Sequence, residues 1–282
     1  MALNKTTAVG GLQPAEINDL VVEPVVKDSV AAQVATVITN AQGSKLRIPK
    51  IADENTVKNL FTAELAEIEL LNPTVSQLEL EWRKIAALTI LSSEVVQDSE
   101  LAILDAAGRS LTRELVRKLD TAAFGNAAPA NGFAGIQASH AQFHAIADAD
   151  GTNADFAIDA GAAIGNADGV PQVILTTPSV LAALQKAKVS VGSEQPLFGT
   201  SAAAAVGQTI NGLPVVTSSH VKANTLYVID PAGLVLAVRK DVALDTDSSA
   251  AFSVDGTMVR IITRMAFGVV DPTKVAVINY VP

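Results

Sequence analysis

Few residues of this chain have the types and spacing that chemistry requires. His140 and His144 are four residues apart and could place two metal-ligating imidazoles on one helical face, but no carboxylate stands between them as in a zincin motif. His220 and Asp230 could join a serine in a triad, yet such scattered residues carry little weight. Residues 148–153 cluster oxygen ligands, although their glycine is misplaced for an EF-hand loop. These patterns predict no catalytic, cofactor or metal site.

Composition and missing motifs narrow the function classes further. The sequence has no phosphate-binding loop, no dinucleotide glycine fingerprint and no nucleophile elbow. It has no cysteine, which excludes disulfides and thiolate chemistry. A net charge of −9 argues against tight general binding to nucleic acid, because that binding needs Lys and Arg to neutralise phosphates. No apolar run approaches the roughly 20 residues of a membrane helix. We therefore expect neither an enzyme nor a membrane protein.

Three arginines at a four-residue spacing form a basic ridge: Arg109, Arg113 and Arg117. This spacing places their side chains on one face of a helix. A solvated face is the simpler interpretation of the ridge. Contact with an acidic loop of a partner is the alternative, and Glu64 and Glu67 lie in a charged stretch of this chain that could form such a loop.

The ridge belongs to the clearest helix of the sequence, predicted over residues 98–123, where leucines three and four residues apart form one apolar stripe. Before it, residues 43–92 predict a long β-hairpin, in which Leu78, Leu80 and Trp82 alternate with glutamates on the returning strand. Such a two-stranded ribbon is marginal by itself in water, because one apolar face has nothing to pack against.

Residues 1–42 are sparse in large apolar groups and predict an extended arm. Together with the hairpin, this arm makes up about the first third of the chain. A chain that spends so much of its length on segments with no core of their own is expected to have neighbours that cover them. We therefore interpret the sequence as that of a self-assembling subunit.

The remaining residues predict two packed units and an α+β fold. Residues 153–240 alternate helices with strands, as in a compact α/β domain. Residues 241–282 read as strands, one of which alternates between an apolar side and a side that carries Arg260 and Arg264. Packing these strands on the long helix gives a second domain, formed by residues 93–152 and 241–282, with the α/β domain inserted.

Several stretches carry a resemblance to a known family, and their order and spacing are more specific than any one of them. In chain order they are Val26-Lys27-Asp28-Ser29-Val30, Leu46-Arg47-Ile48-Pro49, Trp82-Arg83-Lys84-Ile85-Ala86, Phe133-Ala134-Gly135-Ile136, Thr177-Pro178-Ser179-Val180-Leu181, Gly212-Leu213-Pro214-Val215-Val216 and Phe267 to Pro272. From about residue 12 to 282, the chain resembles the major capsid proteins of tailed bacteriophages with the Hong Kong 97 fold.

The resemblance implies an N-terminal arm (1–42), an extended β-hairpin loop (43–92), a long spine helix within a peripheral domain (93–152 and 241–282) and an inserted α/β axial domain (153–240). It implies self-assembly into pentamers and hexamers of an icosahedral shell that encloses double-stranded DNA without tight sequence-specific binding. The protein is then expected in the virion capsid, assembled in the bacterial host cytoplasm, with no cofactor and no membrane contact.

The resemblance also bears on partners and alternatives. Portal and cement proteins are further partners in the family. Because the arm starts close to the first residue, a separate scaffold protein or none is implied. An encapsulin-like nanocompartment shell shares the fold and is the alternative function, and an α/β enzyme built on the inserted domain is the minor alternative.

Contacts between subunits are expected at the apolar face of the hairpin, at carboxylates near its tip, on the arginine ridge and on the last strands. Arg260 and Arg264 are expected to pair with carboxylates of the loop. The residues are Leu78, Leu80, Trp82, Glu64, Glu67, Arg109, Arg113, Arg260 and Arg264.

Overall fold

The computed structural model describes residues 27–41, 43–52, 64, 74–92, 94, 101–125, 131–150, 155–188, 209–239, 243–247 and 249–281. Its helices and strands give the α+β composition that the sequence predicts. In chain order they are α1 (Val30–Val34), β1 (Thr36–Ala41), β2 (Lys45–Ala52), β3 (Thr74–Glu81), β4 (Arg83–Ser92), α2 (Leu101–Phe124), β5 (His144–Ala145), α3 (Asp155–Gly165), β6 (Val173–Thr176), α4 (Pro178–Lys186), β7 (Thr209–Ile210), β8 (Leu213–Thr217), β9 (Thr225–Ile229), β10 (Leu234–Arg239), β11 (Ala243–Asp247), β12 (Gly256–Val269) and β13 (Val275–Asn279).

The main sheet has the strand order β1-β10-β12-β11, with β4 along the other side of β12. Side chains of β12 alternate as predicted: Val259, Ile261 and Met265 are at most 1% exposed, whereas Arg260 faces solvent. Leucines of α2, including Leu115 at 1% exposure, join these residues in one core. The predicted packing of the long helix on the last strands is therefore confirmed.

The described part of the arm packs on its own chain. Strand β1 pairs in parallel with β10, and Ala31 and Val34 of α1 are fully buried. The carboxylate of Asp120, on α2, accepts hydrogen bonds from Ser29 Oγ at 2.7 Å and from the backbone N–H of Ala31 at 3.0 Å. The sequence led us to expect that neighbouring copies cover the arm. Residues 27–41 instead find their partners within one subunit, because a buried carboxylate accepts their hydrogen bonds and an open sheet edge pairs with β1. Residues 1–26 lie outside the described part.

Strands β2 and β3 form a two-stranded antiparallel ribbon that places Leu80 opposite Leu46 and Leu78 opposite Ile48. The hairpin predicted over 43–92 is shorter than expected, because β4 leaves the ribbon and pairs with β12 over ten residues. Alternate residues of β4, such as Ile85, pack against the main core. One side of β4 is therefore packed against the core, whereas an isolated two-stranded ribbon has nothing to cover its apolar face.

A second sheet has the strand order β5-β13-β9-β6-β8-β7. Helices α3 and α4 pack on it through residues such as Ile164 and Leu184, which are at most 1% exposed. Thr177 caps the N-terminus of α4, because its Oγ1 accepts a hydrogen bond from the backbone N–H of Val180 at 3.4 Å. Strand β10 joins the main sheet and β13 joins this second sheet, so the sheets divide the chain differently from the predicted segments.

Gly135 packs against the C-terminal end of α2, where only a residue without a Cβ fits. A Cβ at this position would lie 2.5 Å from the carbonyl oxygens of Ala122 and Gly125. These oxygens belong to the backbone and cannot rotate away as a side chain would. Because the neighbouring Phe133 and Ile136 are buried in the main core, the strain cannot be released at the surface.

We therefore expect Gly135→Ala to lower the free energy of unfolding by about 3 kcal/mol or more. Chemical denaturation of the full chain measures this change. Gly165→Ala is the matched control, because no atom of the described residues beyond its own helix and chain neighbours would lie within 4 Å of the added Cβ. Equal free energies of unfolding for the two variants would show that the backbone at the end of α2 can shift to accept a Cβ without loss of stability.

Candidate functional site

The main sheet has one face that the described residues leave bare along β4. This strand alternates half-buried and exposed side chains over its whole length. Its outward residues include Leu88 and Ile90, which are 58% and 50% exposed. On β12, Met258 lies opposite Ile90 and Ile262 lies opposite Ala86, on the same face. We call these five residues the bare stripe.

The bare stripe combines two features that favour contact with another chain. Contiguous exposed apolar side chains mark interaction sites. Within the described part of the chain, β4 pairs only with β12, so its other edge offers unpaired backbone groups. The sequence prediction missed Leu88 and Ile90. The signal was present, because residues 85–91 are apolar at both odd and even positions apart from Thr89, which predicts a strand with two apolar faces.

Arg260 and Arg264 lie on the same outward face of β12 as the bare stripe. Arg260 Nη2 donates to Asp245 Oδ2 of the adjacent β11 at 2.8 Å, with both side chains about half exposed. Exposed ion pairs of this kind contribute about 0–1 kcal/mol. Arg260 therefore already has a carboxylate within its own chain. Arg264 lies directly opposite Lys84 of β4.

The ribbon rests on the main sheet at its base. The Leu80 side chain lies over Gly268 of β12, where an added Cβ would be 2.5 Å from Leu80 Cδ2. Leu78 and Leu80 are half-buried on one ribbon face. Trp82 joins the ribbon to β4, and its buried Nε1 has no hydrogen-bond partner among the described residues. Between β2 and β3 in the sequence, Glu64 is exposed, and Glu67 lies outside the described residues.

The opposite face of the ribbon is charged. Lys45 Nζ and Arg47 Nε contact the carboxylate of Glu79 at 2.8 and 3.0 Å. The hydrogen bond and the attraction between Lys45 and Glu79 raise the pKa of the amine and lower that of the carboxyl. Both groups are exposed, so the surrounding water weakens their contribution to stability. The ribbon therefore has one apolar face and one solvated face.

The predicted arginine ridge lines a cleft of about 570 Å³ between α1, α2 and the turn after β8. Arg109, Arg113 and Arg117 contribute from α2, and the opposite side consists of Thr217 at the end of β8 and the turn residues 218–220. His220 Nδ1 lies 3.2 Å from Thr121 Oγ1, a hydrogen bond that connects this turn to α2. We call this feature the arginine cleft. The sequence located its arginines but not the opposite wall, which comes from a distant part of the chain.

The two histidines considered for a metal site do not come together, and the buried Nε2 of His144 has no hydrogen-bond partner among the described residues. His140 and His144 lie on a 3₁₀-helix and on β5, so they do not share the α-helical face that their spacing allowed. His140 Nδ1 is 3.5 Å from the hydroxyl of Tyr227, whose pKa burial raises to about 12. Burial, together with Lys222, lowers the pKa of His140.

The residues considered for a triad or a calcium loop are also engaged elsewhere. Asp230 accepts backbone hydrogen bonds from Val170 and Ala232, both at 3.0 Å, rather than contacting His220. Asp148 Oδ1 accepts a hydrogen bond from Asn279 Nδ2 at 3.3 Å. The described residues contain no group of three or more histidine or acidic side chains placed to hold a metal ion. No helix in the described ranges is long and apolar enough to cross a bilayer.

Comparisons with known proteins identify the family. The sequence matches the phage capsid family over residues 9–280. The fold is similar to a structure described as the capsid of an empty GTA particle computed with C5 symmetry, with a TM-score of 0.73 at 16% identity over 100% of this chain and 95% of that chain. It is also similar to a chain of Microbacterium phage Oxtober96, with a TM-score of 0.71 at 16% identity over 100% of this chain and 95% of that one.

A third similar structure, from Mycobacterium phage Adephagia, has a TM-score of 0.68 at 15% identity and covers 90% of both chains. No curated protein matches the sequence. The structural matches confirm the predicted α+β capsid fold, and the family match covers nearly the whole chain. They support a protein that forms a capsid shell from copies of itself. The chain therefore belongs to the phage capsid family.

Proposed function

We propose that this major capsid protein assembles as pentamers and hexamers of an icosahedral shell that encloses double-stranded DNA. The observation that carries the proposal is the bare stripe. Fully burying a Leu or Ile side chain contributes about 1.5–3 kcal/mol, so two half-exposed residues leave a substantial gain for a second copy that covers them. One similar chain is described as part of a capsid computed with C5 symmetry, which supports fivefold assembly.

The ribbon of one copy is the proposed cover for the bare stripe of the next. Its eight-residue strands span about 27 Å at roughly 3.4 Å per residue, enough to reach across a neighbouring sheet. Leu78 would supply an apolar contact to the neighbour, with Leu80 and Trp82 at the base of the ribbon, where Leu80 packs over Gly268 of its own sheet. Such a head-to-tail contact repeats around a ring and closes it when the rotation fits.

Charged contacts would fix the position of the ribbon on its neighbour. Glu64 and Glu67, which lie between β2 and β3 in the sequence, are the proposed partners for Arg264, because Arg264 lies on the same outward face as the bare stripe. Arg260 is paired with Asp245 in the same chain, so a contact with a neighbour would have to replace that pair. Replacing one exposed ion pair by another costs little free energy, since such pairs contribute about 0–1 kcal/mol.

The remaining roles follow from a shell function. The protein would be structural rather than catalytic, would assemble in the host cytoplasm, and would contact scaffold, portal or cement proteins at its surface. The division into an arm (1–42), an extended loop (43–92), a peripheral domain (93–152 and 241–282) and an axial domain (153–240) is part of the proposal. Within it, β10 and β13 each pair with the sheet of the other domain.

Electron microscopy of the protein expressed alone, and of particles from infected cells, tests this function. We expect closed icosahedral shells with fivefold and sixfold clusters, and double-stranded DNA within the native particles. Particles filled with protein cargo would instead support the encapsulin-like alternative, which the capsid matches do not favour. A soluble monomer that binds a small ligand would support the α/β enzyme.

Arg264→Glu tests the charged contact, and we expect it to raise the concentration needed for assembly about tenfold. The new carboxylate lies opposite Lys84, so folding of the subunit should be preserved. Adding Glu67→Arg in the same chain should restore assembly, as judged by light scattering. If the double variant assembles no better than the single one, Arg264 does not pair with the loop.

A further inference from the structure

The arginine cleft has one wall of regularly spaced positive charge. Arg109, Arg113 and Arg117 follow one another at four-residue intervals on α2, about 6 Å apart along the helix axis. All three side chains are exposed. Arg117 Nη1 also donates to Glu114 Oε1 at 3.1 Å on the helix surface. In a protein with a net charge of −9, three arginines in one cleft are a local concentration of positive charge.

The opposite wall supplies polar groups that can donate hydrogen bonds. Ser218, Ser219 and His220 line the cleft from the turn after β8. The turn is held in place, because the backbone N–H of His220 donates to Ser218 Oγ at 3.3 Å and its ring contacts Thr121 at 3.2 Å. A ligand between the two walls would therefore meet guanidinium groups on one side and hydroxyl and imidazole groups on the other.

Two carboxylates also line the cleft, and they differ in what they leave for a ligand. Asp120 is 6% exposed, and its oxygens accept hydrogen bonds from Ser29 Oγ and from the backbone N–H groups of Val30 and Ala31. Its charge is thus engaged with the arm. Asp28 is exposed at the rim and would oppose an anion. The side chains that line the cleft are thus three arginines and two acids, and Glu114, which pairs with Arg117, lies outside the lining.

We infer that the arginine cleft binds a phosphate group. A carboxylate has two coplanar oxygens, which a single arginine fork satisfies. The cleft instead surrounds a ligand with several guanidinium groups and with hydroxyl donors from a second direction. This arrangement suits a tetrahedral phosphate, whose non-bridging oxygens accept hydrogen bonds from more than one direction and whose charge is about −1 in a nucleic-acid backbone and close to −2 in free phosphate. The ligand class is therefore phosphate rather than an isolated carboxylate.

Two sources could supply this phosphate: the backbone of a nucleic acid or free phosphate. The nucleic-acid source rests on the proposed function, whereas free phosphate does not. Helix α2 covers the face of the main sheet opposite the bare stripe, so cleft and stripe lie on opposite sides of that sheet. Packaged nucleic acid could thus contact the cleft while a neighbouring copy covers the stripe.

Calorimetric titration of the purified full chain with inorganic phosphate, and separately with a short oligothymidylate, tests the inference. We expect Arg113→Gln to weaken both interactions about tenfold, the loss of one charge-assisted contact. Asp28→Asn should tighten them severalfold. Arg260→Gln removes the same charge on the face of the bare stripe and should leave both interactions unchanged. Thermal melting checks that each variant is folded.

The outcomes separate the two sources and the two proposals. If the protein binds inorganic phosphate but not the oligonucleotide, the cleft is still a phosphate site and its ligand is free phosphate. For the oligonucleotide, the slope of the logarithm of the binding constant against the logarithm of the salt concentration should become shallower by about one in Arg113→Gln, because one phosphate contact is lost. Equal effects of Arg113→Gln and Arg260→Gln, no saturable binding, or preference for a synthetic peptide of residues 53–70 would overturn the inference. Shells that form while phosphate binding is absent overturn it alone and leave the proposed function intact.

Discussion

Ile90→Glu is expected to abolish shell assembly while leaving the subunit folded. Ile90 is 50% exposed on the bare stripe, so a glutamate there remains hydrated in the free subunit. In the shell, the neighbouring copy would cover it with apolar groups, and a buried unpaired carboxylate costs at least about 3 kcal/mol. That cost corresponds to more than a hundredfold weaker contact at every interface. Size-exclusion chromatography with light scattering and electron microscopy measure the effect.

The matched control is Ile158→Glu. Ile158 is 55% exposed on α3, which packs on the second sheet rather than on the main one. It offers the same substitution at nearly the same exposure, away from the bare stripe. We expect this variant to form shells like the wild type. Normal shells from Ile90→Glu, or equal loss from both variants, would rule out the bare stripe as the specific contact surface.

Asp120→Ala is expected to have the largest effect on the stability of the subunit. Asp120 accepts hydrogen bonds from Ser29 Oγ, at 2.7 Å, and from the backbone N–H groups of Val30 and Ala31. Ser29 is fully buried, so its hydroxyl would lose its partner without gaining water. Breaking such a buried network costs about 3–5 kcal/mol, or roughly 10 °C in melting temperature. Calorimetry measures the stability, and limited proteolysis reports release of residues 27–41.

Two further variants separate the role of this carboxylate from its volume and charge. Asp120→Asn keeps one acceptor oxygen and nearly the same shape, so we expect it to retain part of the lost stability. Asp28→Ala removes an exposed carboxylate beside the same helix and should change stability by less than about 0.5 kcal/mol. If Asp120→Ala lowers the free energy of unfolding no more than Asp28→Ala does, the arm is held by packing alone.

Local patterns in the sequence predicted several elements well. The leucine stripe predicted the long helix, observed as Leu101–Phe124. The alternation in β12 predicted which side is buried. These features depend on spacings of two, three or four residues, which local backbone geometry fixes. They required no knowledge of which segments meet in space.

Pairings between distant segments could not be predicted in this way. The sequence assigned β4 to the hairpin, whereas the structure pairs it with β12, more than 160 residues away in the chain. Ser29 and Asp120 are 91 residues apart, and neither has a local pattern that indicates the other. The two walls of the arginine cleft likewise come from separate parts of the chain.

The sequence by itself thus determined the most strongly patterned elements and the family resemblance on which the shell function was predicted. The tertiary structure alone decided that residues 27–41 fold back on their own subunit, that one sheet face along β4 is bare, and that the arginines line a cleft. The physical reason is that many strand pairings satisfy the same hydrogen bonds. The burial that selects among them depends on every other segment that reaches the same core.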